Sequence, residues 1–409
     1  MKKRKTNTVW SGDFTKITAA TVLSLIGGEV MNLPVSLLVY DQTKSTLLSA
    51  LIYVSGILPD VLLPVLLAPL VDRGKKKPWI VGMDGLMAIV YIAMGVWVQH
   101  NSFAYIGYVL FSLVIASISS LYRLAYNAWY PNLIPEGMEQ KGYAVSGSLY
   151  PTITIIMSPV ATFLYAHLPM YVLFYAVAVQ TILSIMIERT IEKDVAHATE
   201  ESYSLRQYGQ DLFEGFHYLK KEKGVRNIYS YMAITNGASE GGSTIVQAWY
   251  QSVPWLSVTM LGFLKSAEMI GRVLGGAFCY RKEIPREKRF GFTKFVYSIY
   301  DILDMVLLFL PYPLMLGSRF LCGALGTTSA TIRSAAVQGY LPSHMRARVN
   351  AFFDMVIAVG GVFFQLLAGT LALVLPYRAV TALLGGIAFL CMLVLIALPG
   401  RENRPVYEA

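Results

Sequence analysis

Several ionisable side chains of this sequence stand inside long apolar stretches, and these are the residues best placed to do chemistry. An ionised group in the hydrocarbon of a membrane costs at least ~2.5 kcal/mol, so such residues usually face the protein interior or a wet cavity. The candidates for binding a proton or a substrate are Glu29, Asp60, Glu240, Glu268, Arg272 and Arg319.

The four acids among them occupy matching places in the two halves of the chain. Glu29 and Glu240 each stand ten or eleven residues before a tyrosine, and Asp60 and Glu268 are 208 residues apart. A carboxyl group at mid-membrane depth can load and release a proton, and in its ionised form it can bind a cation. We therefore expect Glu29 and Glu240 to face a central cavity between the halves.

The composition favours lipid as the solvent around these residues. Of 409 residues, 55% are hydrophobic and 14% are charged, and the mean hydropathy is +0.51. A soluble domain needs more charge than this to cover its surface. Apolar runs of about 20 residues, the length that crosses a bilayer, predict twelve membrane-spanning helices. They are expected near residues 15–40, 47–71, 79–98, 104–126, 144–168, 170–188, 228–250, 256–280, 292–310, 312–334, 349–375 and 377–398.

The positive charges predict how these helices are oriented. If the N-terminus is cytoplasmic, most of the 34 lysines and arginines fall in cytoplasmic segments, and the outer loops contain only Lys44 and Arg378. This distribution obeys the positive-inside rule throughout a twelve-helix arrangement. Both termini are therefore expected in the cytoplasm, and the net charge of +9 is explained without nucleic acid.

At several candidate positions a structural role competes with a chemical one. Lys265, Glu268 and Arg272 are spaced i, i+3 and i+7, so they share one helix face and can neutralise one another. Asp301 and Asp304 are expected either in water at the cytoplasmic end of their helix or in a pair with Arg319 of the next helix.

Two further arginines lie close to the expected cytoplasmic helix ends. Arg123 and Arg333 are expected either to extend along the helix towards water or to bond loop carboxylates such as Glu136.

The chain also repeats itself. Shifted by 207 residues, the segment 135–169 aligns without gaps with 342–376 and shares seven identities in 35 positions. We expect a six-helix bundle over residues 1–188, a cytoplasmic linker over 189–227 and a second six-helix bundle over 228–409. Within the linker, residues 204–226 can form an amphipathic helix that lies on the cytoplasmic face.

Short motifs in the loops resemble a known family. Residues 68–77 read Ala-Pro-Leu-Val-Asp-Arg-Gly-Lys-Lys-Lys and resemble the signature G-x-x-x-D-R-x-G-R-R of the major facilitator superfamily. Alanine replaces the first glycine, and one residue is missing after the arginine. The resemblance implies that Asp72 and Arg73 form a conformational latch between helices. It also implies an all-α integral membrane fold of two pseudo-symmetric six-helix bundles.

Other segments narrow the resemblance. Residues 38–45, 211–221 and 338–349 resemble the branch that contains macrolide-efflux and siderophore-exporter proteins. Antiporters of the superfamily often have G-x-x-x-G-P-x-x-G in the fifth helix. The corresponding stretch here has Thr154, Ser158 and Thr162 in place of the glycines. Because these side chains are small, the segment is expected to keep its role in close helix packing.

The resemblance implies a secondary transporter that works by alternating access. We interpret the chain as a proton-coupled exporter of an amphiphilic small molecule, such as a macrolide-like drug or a siderophore. Two alternatives stay open: a proton-coupled importer of a polar nutrient, and a non-transporting membrane sensor or assembly partner. The expected partners are a small-molecule substrate, protons and the lipid bilayer of the bacterial cytoplasmic (inner) membrane, with the chain as a monomer.

Neither an enzyme nor a cofactor is expected. The sequence contains no G-x-x-x-x-G-K-[ST] loop and no H-E-x-x-H motif, and its three cysteines are far apart. The proton gradient is the expected energy source.

Overall fold

A computed structural model describes residues 8–72, 75–193, 205–282, 284–342 and 345–408. In these ranges the chain forms fourteen α-helices, α1 to α14. Their bounds are Gly12–Thr43, Thr46–Asp72, Lys76–His100, Tyr105–Leu133, Glu139–His167, Met170–Arg189, Leu205–Lys221, Lys223–Ser252, Val258–Arg281, Arg286–Val306, Tyr312–Tyr340, Arg346–Leu371, Tyr377–Cys391 and Gly400–Glu408. A short 3-10 turn, Leu307–Phe309, follows α10, and a π-helical turn, Met392–Ala397, follows α13. Each of the twelve expected spans falls on one of these helices, and α7 and α14 are additional.

Apolar side chains cover the outside of many helices. Seven helices of the described chain are long and apolar enough to cross a membrane by length and composition. Ile89, Ile106, Val179 and Met186 are each 58–71% exposed, although they stand on regular helices. A protein in water rarely leaves such large contiguous apolar patches uncovered. These helices are therefore suited to lipid as their surroundings.

Prolines mark the beginnings of four helices. Pro169, Pro285, Pro311 and Pro376 stand immediately before α6, α10, α11 and α13. The proline ring fixes φ near the helical value and lacks the N–H that a helix start leaves unpaired. Pro169 and Pro376 are also equivalent in the internal repeat, so the repeat is reproduced in how two helices begin.

The chain divides into two compact units, and each is described separately. Unit 1 contains Met1–Ser36 and Ser55–Leu205, and unit 2 contains Leu37–Val54 and Arg206–Ala409. The end of α1 and the start of α2 form a hairpin, Leu37–Val54, that belongs to unit 2. The hairpin was not part of the expected C-terminal bundle. The expected division into residues 1–188, 189–227 and 228–409 stays a prediction.

Hydrogen bonds hold the hairpin in unit 2. Thr46 Oγ1 donates to the carbonyl oxygen of Gly369 at 2.9 Å, and Thr46 is 1% exposed. The hydroxyls of Tyr40 and Tyr377 lie 2.6 Å apart. Gln251 Nε2 donates to the backbone oxygen of the hairpin's first residue at 2.8 Å. These contacts join the hairpin to α8, α12 and α13.

Glycines allow α9 and α11 to pack closely in unit 2. A Cβ atom on Gly271 or Gly275 would overlap backbone atoms of α11, and one on Gly323 would overlap the carbonyl oxygen of Glu268 on α9. Glycines four residues apart make such approach possible because no side chain separates the two backbones. This close contact therefore fixes the axial position of α9 relative to α11. It also fixes the positions of the side chains next to Gly323.

The linker forms a shorter helix than expected. The described part begins at Leu205, and α7 ends at Lys221. Leu219 is 4% exposed and packs into the core of unit 2, whereas Phe213 is 67% exposed. The ring of Phe216 lies 5.7 Å from that of Phe352 on α12. The helix thus places one apolar edge against unit 2.

Candidate functional site

Glu29 of unit 1 is held by the fifth helix. It is the eighteenth residue of α1 and is half-buried. Its Oε1 accepts a hydrogen bond from Thr154 Oγ1, and its Oε2 accepts one from Ser158 Oγ, both at 3.1 Å. The two donors occupy positions where the antiporter motif has glycine. The hydroxyl side chains that stand in place of these glycines therefore orient the Glu29 carboxylate.

Glu240 of unit 2 occupies the corresponding place on α8. It is the eighteenth residue of its helix and is exposed. Tyr53, on the hairpin, donates from Oη to Glu240 Oε2 at 2.7 Å. Among the residues that the structure describes, neither Glu29 nor Glu240 has a lysine or arginine within 4 Å. Glu29 and Glu240, the acids on the first helix of each half, are thus both bound by neutral hydroxyl donors.

Asp60 and Glu268, the acids on the second helix of each half, are bound differently because each has a cationic partner. Asp60 forms an ion pair with Arg123 of α4. Glu268 accepts from its helix neighbour Arg272 through Nε at 3.1 Å and Nη2 at 2.7 Å. Asp60 is the fifteenth residue of α2, and Glu268 is the eleventh of α9, so they stand about one turn apart in their helices. Charge pairing makes these two carboxylates less available than Glu29 and Glu240.

Arg319 also has an acidic partner. Its Nη2 lies 2.6 Å from Oδ1 of Asp304, and both side chains are largely buried. Glu268 lies close enough to contribute to the electrostatic field at Arg319. Together with Arg272, these residues form a charge-balanced network across α9, α10 and α11. Lys265 has no acid within ion-pair distance in the described part of the chain, so only part of the expected neutralisation on α9 is found.

Asp301 is buried and has no arginine partner in the described ranges, in contrast to both alternatives that the sequence left open. Its side chain is 1% exposed. Tyr231 Oη donates to it at 2.9 Å and Thr235 Oγ1 at 3.0 Å. Both donors lie on α8, so the packing of α8 against α10 buries this acid and supplies its hydrogen bonds.

Two buried acids were not recognised as candidates from the sequence. Asp84 on α3 and Glu188 on α6 are 1% and 0% exposed. Tyr122 Oη donates to Glu188 Oε1 at 3.0 Å, while the described residues offer no hydrogen-bond partner to Asp84 Oδ2 or Glu188 Oε2. The two carboxyl groups are close enough for their charges to interact, and two ionised carboxylates would repel each other here. Asp84 is the ninth residue of α3 and Glu188 is the last but one of α6, so only the packing of α3 on α6 reveals their burial.

Unit 2 contains a cavity of about 560 Å³ between α8, α9, α10 and α11. Among the described residues its lining includes Arg272 and Arg333 but no aspartate or glutamate. Arg333 was expected to extend towards water or to bond a loop carboxylate. It instead lines the cavity, where its Nη1 donates to Tyr297 Oη at 3.5 Å.

The expected latch consists of Asp72 and Arg73. Asp72 is the last residue of α2, but its side chain and Arg73 lie outside the described part of the chain.

Several known transporters are similar to this chain. The family model described as Major Facilitator Superfamily matches residues 17–300 and 288–408. Macrolide efflux protein A of Streptococcus pyogenes is 24% identical over 293 residues, which cover 67% of this chain and 69% of that protein. The crystal structure of the nucleoside transporter NupG has a TM-score of 0.71 at 13% identity and covers 94% of this chain and 98% of NupG. A crystal structure of the peptide transporter POT with alafosfalin has a TM-score of 0.70 at 12% identity and covers 96% and 95% of the two chains.

These similarities confirm the expected fold and its general activity. The chain is an all-helical, multi-pass membrane protein that carries small molecules as a secondary transporter, and it is not an enzyme. Its resemblance to the macrolide-efflux branch is confirmed as well. With nearly its whole length matched by the family model, the chain belongs to the Major Facilitator Superfamily.

Proposed function

We propose that this transporter exports an amphiphilic small molecule across the bacterial cytoplasmic membrane at the expense of the proton gradient. The observation that carries the proposal is the environment of Glu29, a half-buried carboxylate with two hydroxyl donors and no cation within 4 Å in the described structure. The similarity to a protein named for macrolide efflux supports the direction of transport.

The hydrogen bonds of Glu29 suit a group that changes its protonation state. A hydroxyl can donate to a carboxylate and can also accept a hydrogen bond from a protonated carboxyl. Thr154 and Ser158 can therefore hold Glu29 in both states, whereas an arginine would hold only the ionised one. Alternating exposure of such a group to the two sides of the membrane would couple proton entry to substrate exit.

Glu240 is the second candidate for this role. Its donor, Tyr53, is also a hydroxyl, so the same reasoning applies in unit 2. Asp60, with its arginine partner, is assigned a mainly structural role. Glu268 and Arg319 are assigned the same role because they belong to a charge-balanced network, whereas Arg272 belongs to this network and also lines the cavity of unit 2.

The resemblance to the superfamily supports the remaining proposals. We assign Asp72 and Arg73 to a conformational latch, both termini to the cytoplasm, and a monomer as the working unit. The net charge of +9 is assigned to membrane orientation and not to nucleic-acid binding.

The test separates coupling from binding in one preparation. A panel of macrolides, hydroxamate siderophores and dansyl dyes first identifies a compound that inside-out vesicles accumulate. Uphill accumulation of this compound should collapse with a protonophore. Glu29→Gln keeps size and hydrogen bonding but removes the titrating group. We expect it to abolish uphill transport while exchange down the substrate's own gradient persists.

Two comparisons complete the experiment. Glu240→Gln shows which unit carries the proton, and Glu136→Gln, an exposed loop acid, controls for the loss of one negative charge. If both Glu29→Gln and Glu240→Gln transport uphill like wild type, or if accumulation ignores the proton gradient, the proposed mechanism is wrong.

Import of a polar nutrient is a second candidate function. It is favoured by the two arginines in the cavity of unit 2 and by structural likeness to proteins named as nucleoside and peptide transporters. Proton-driven uptake into right-side-out vesicles, with no accumulation in inside-out vesicles, would support import over export.

A further inference from the structure

We propose that the cavity of unit 2 binds the anionic group of the transported molecule, with Arg333 as its counter-ion. The substrate class would be an amphiphile that carries a carboxylate or a similar oxyanion. This inference rests on the proposed transport function and adds the charge that the substrate carries.

The cavity has the size and the charge for such a ligand. Its volume of about 560 Å³ lies within the range of about 300–1,000 Å³ that is usual for small-molecule sites. The only charged side chains in its described lining are two arginines, Arg272 and Arg333. Because arginine stays charged at all physiological pH values, the lining carries permanent positive charge.

Arg333 differs from the other arginines that stand well inside helices. Arg123, Arg272 and Arg319 each form an ion pair with an acid. In the described ranges Arg333 has no carboxylate within 4 Å, and its Nη1 donates to the neutral phenol oxygen of Tyr297 at 3.5 Å. Tyr229 and Tyr407 are also close enough to interact electrostatically with the Arg333 guanidinium. A partly buried guanidinium with phenols as its neighbours has unmet capacity for an anion.

Arg272 adds to this preference from the facing helix. Its carboxylate partner, Glu268, is outside the cavity lining, whereas Arg272 itself is part of it. The close packing of Gly323 against α9 fixes the backbone beside both residues. Both charged side chains of the described lining are therefore cationic, although the surrounding network is balanced overall.

The wall around Arg333 is fixed by hydrogen bonds and ring contacts. The hydroxyls of Tyr297 and Tyr407 are 3.0 Å apart, and Tyr407 is fully buried. The ring of Tyr297 lies 4.8 Å from that of Tyr231, whose hydroxyl is held by Asp301. A rigid aromatic wall beside a cation suits a ligand with an apolar ring system and an anionic end. This arrangement supports an amphiphile and not a bare inorganic anion.

The proposal is tested with three probes that share one fluorescent body. Dansylglycine carries a carboxylate, dansylglycinamide is neutral, and dansylcadaverine carries an amine. Each is titrated into the purified full-length chain in detergent and followed by dansyl fluorescence. We expect dansylglycine to bind at least about tenfold more tightly than the amide, because a hydrogen bond to a charged group is worth about a factor of ten or more.

Variants then locate the preference. Arg333→Gln should weaken dansylglycine about tenfold and leave the amide unchanged, and Arg333→Lys should retain part of the difference. Arg281→Gln, at the exposed end of α9, is the matched control and should change neither. If Arg333→Gln does not fold, Thr331→Asp in the lining adds a negative charge and should weaken dansylglycine, whereas Thr331→Asn should not.

Three outcomes of the titrations would contradict the proposal. Equal binding of the carboxylate and the amide, tighter binding of the amine, or the same loss in Arg333→Gln and Arg281→Gln would overturn the proposal. The titration involves no gradient, so failure of proton coupling would leave its result intact. Conversely, loss of this charge preference would leave the Glu29 experiment unaffected.

Discussion

The ion pair between Asp304 on α10 and Arg319 on α11 allows a quantitative test of what holds unit 2 together. The two side chains are 16% and 12% exposed, and the charged atoms lie 2.6 Å apart. Two unit charges with centres about 4 Å apart attract by about 4 kcal/mol at an effective dielectric constant of about 20. Removing one partner leaves the other charge buried and unpaired, which costs about 3–5 kcal/mol. We expect Arg319→Gln or Asp304→Asn to lower the free energy of unfolding by this amount.

The double variant separates the pair from its surroundings. Asp304→Asn combined with Arg319→Gln removes both charges, so its loss should be at least about 1 kcal/mol smaller than the sum of the two single losses. Unfolding in mixed detergent and SDS micelles, followed by tryptophan fluorescence, measures each free energy. Arg281→Gln serves as the control for loss of an exposed charge.

Two results would refute this reasoning. One is a single variant as stable as wild type, and the other is a double variant whose loss equals the sum of the single losses. Transport gives a separate answer on function. If Arg319 is only structural, the double variant should transport at the wild-type rate per folded molecule. A complete loss of transport would instead indicate that Arg319 takes part in binding the substrate or the proton.

Three further predictions concern the helix contacts and the membrane surface. Gly275→Ala should lower the free energy of unfolding by about 1–3 kcal/mol in the same micelle assay because its Cβ meets the α11 backbone, while Gly276→Ala, with space around it, should not. Backbone N–H groups of Glu139 itself and of Gly137 hold the pKa of the Glu139 carboxyl below its usual value. The stability that these hydrogen bonds provide is present above the unfolded-state pKa of about 4.3 and is lost as pH falls through the lower pKa of the folded state. The difference in melting temperature between wild type and Glu139→Gln should therefore disappear at strongly acid pH. Asn403→Leu should free α14, because this buried amide donates to two carbonyls near the π-helical turn; faster amide exchange confined to residues 400–408 is the expected readout.

Hydropathy was sufficient to predict the helices because lipid restricts a spanning chain to few solutions. A backbone in hydrocarbon must satisfy its hydrogen bonds internally, so an apolar run of sufficient length becomes a helix. The helix starts at Pro169 and Pro376 could be predicted in the same way, since proline's fixed φ is a local property. These features depend on residues close in sequence.

The pairing of polar side chains was harder to predict because it depends on which helices touch. The sequence suggested Asp304 as a partner for Arg319, and the two lie only 15 residues apart on neighbouring helices. Asp60 and Arg123 are 63 residues apart on α2 and α4, and nothing in their local sequence links them. Asp84 and Glu188 were missed for the same reason. Their burial comes from the contact of α3 with α6, which the local sequence of neither residue indicates.

The hairpin Leu37–Val54 has a consequence for the order in which the protein is made. Thr46 bonds to Gly369, 323 residues further along the chain, and Tyr40 contacts Tyr377, 337 residues further. At a synthesis rate of about 5–20 residues per second, the ribosome supplies these partners roughly 15–65 s after the hairpin itself. During that interval the hydroxyls of Thr46 and Tyr40 lack these partners. A segment near the beginning of the chain is therefore among the last to reach its final packing, and unit 2 is completed only after the ribosome has passed Tyr377.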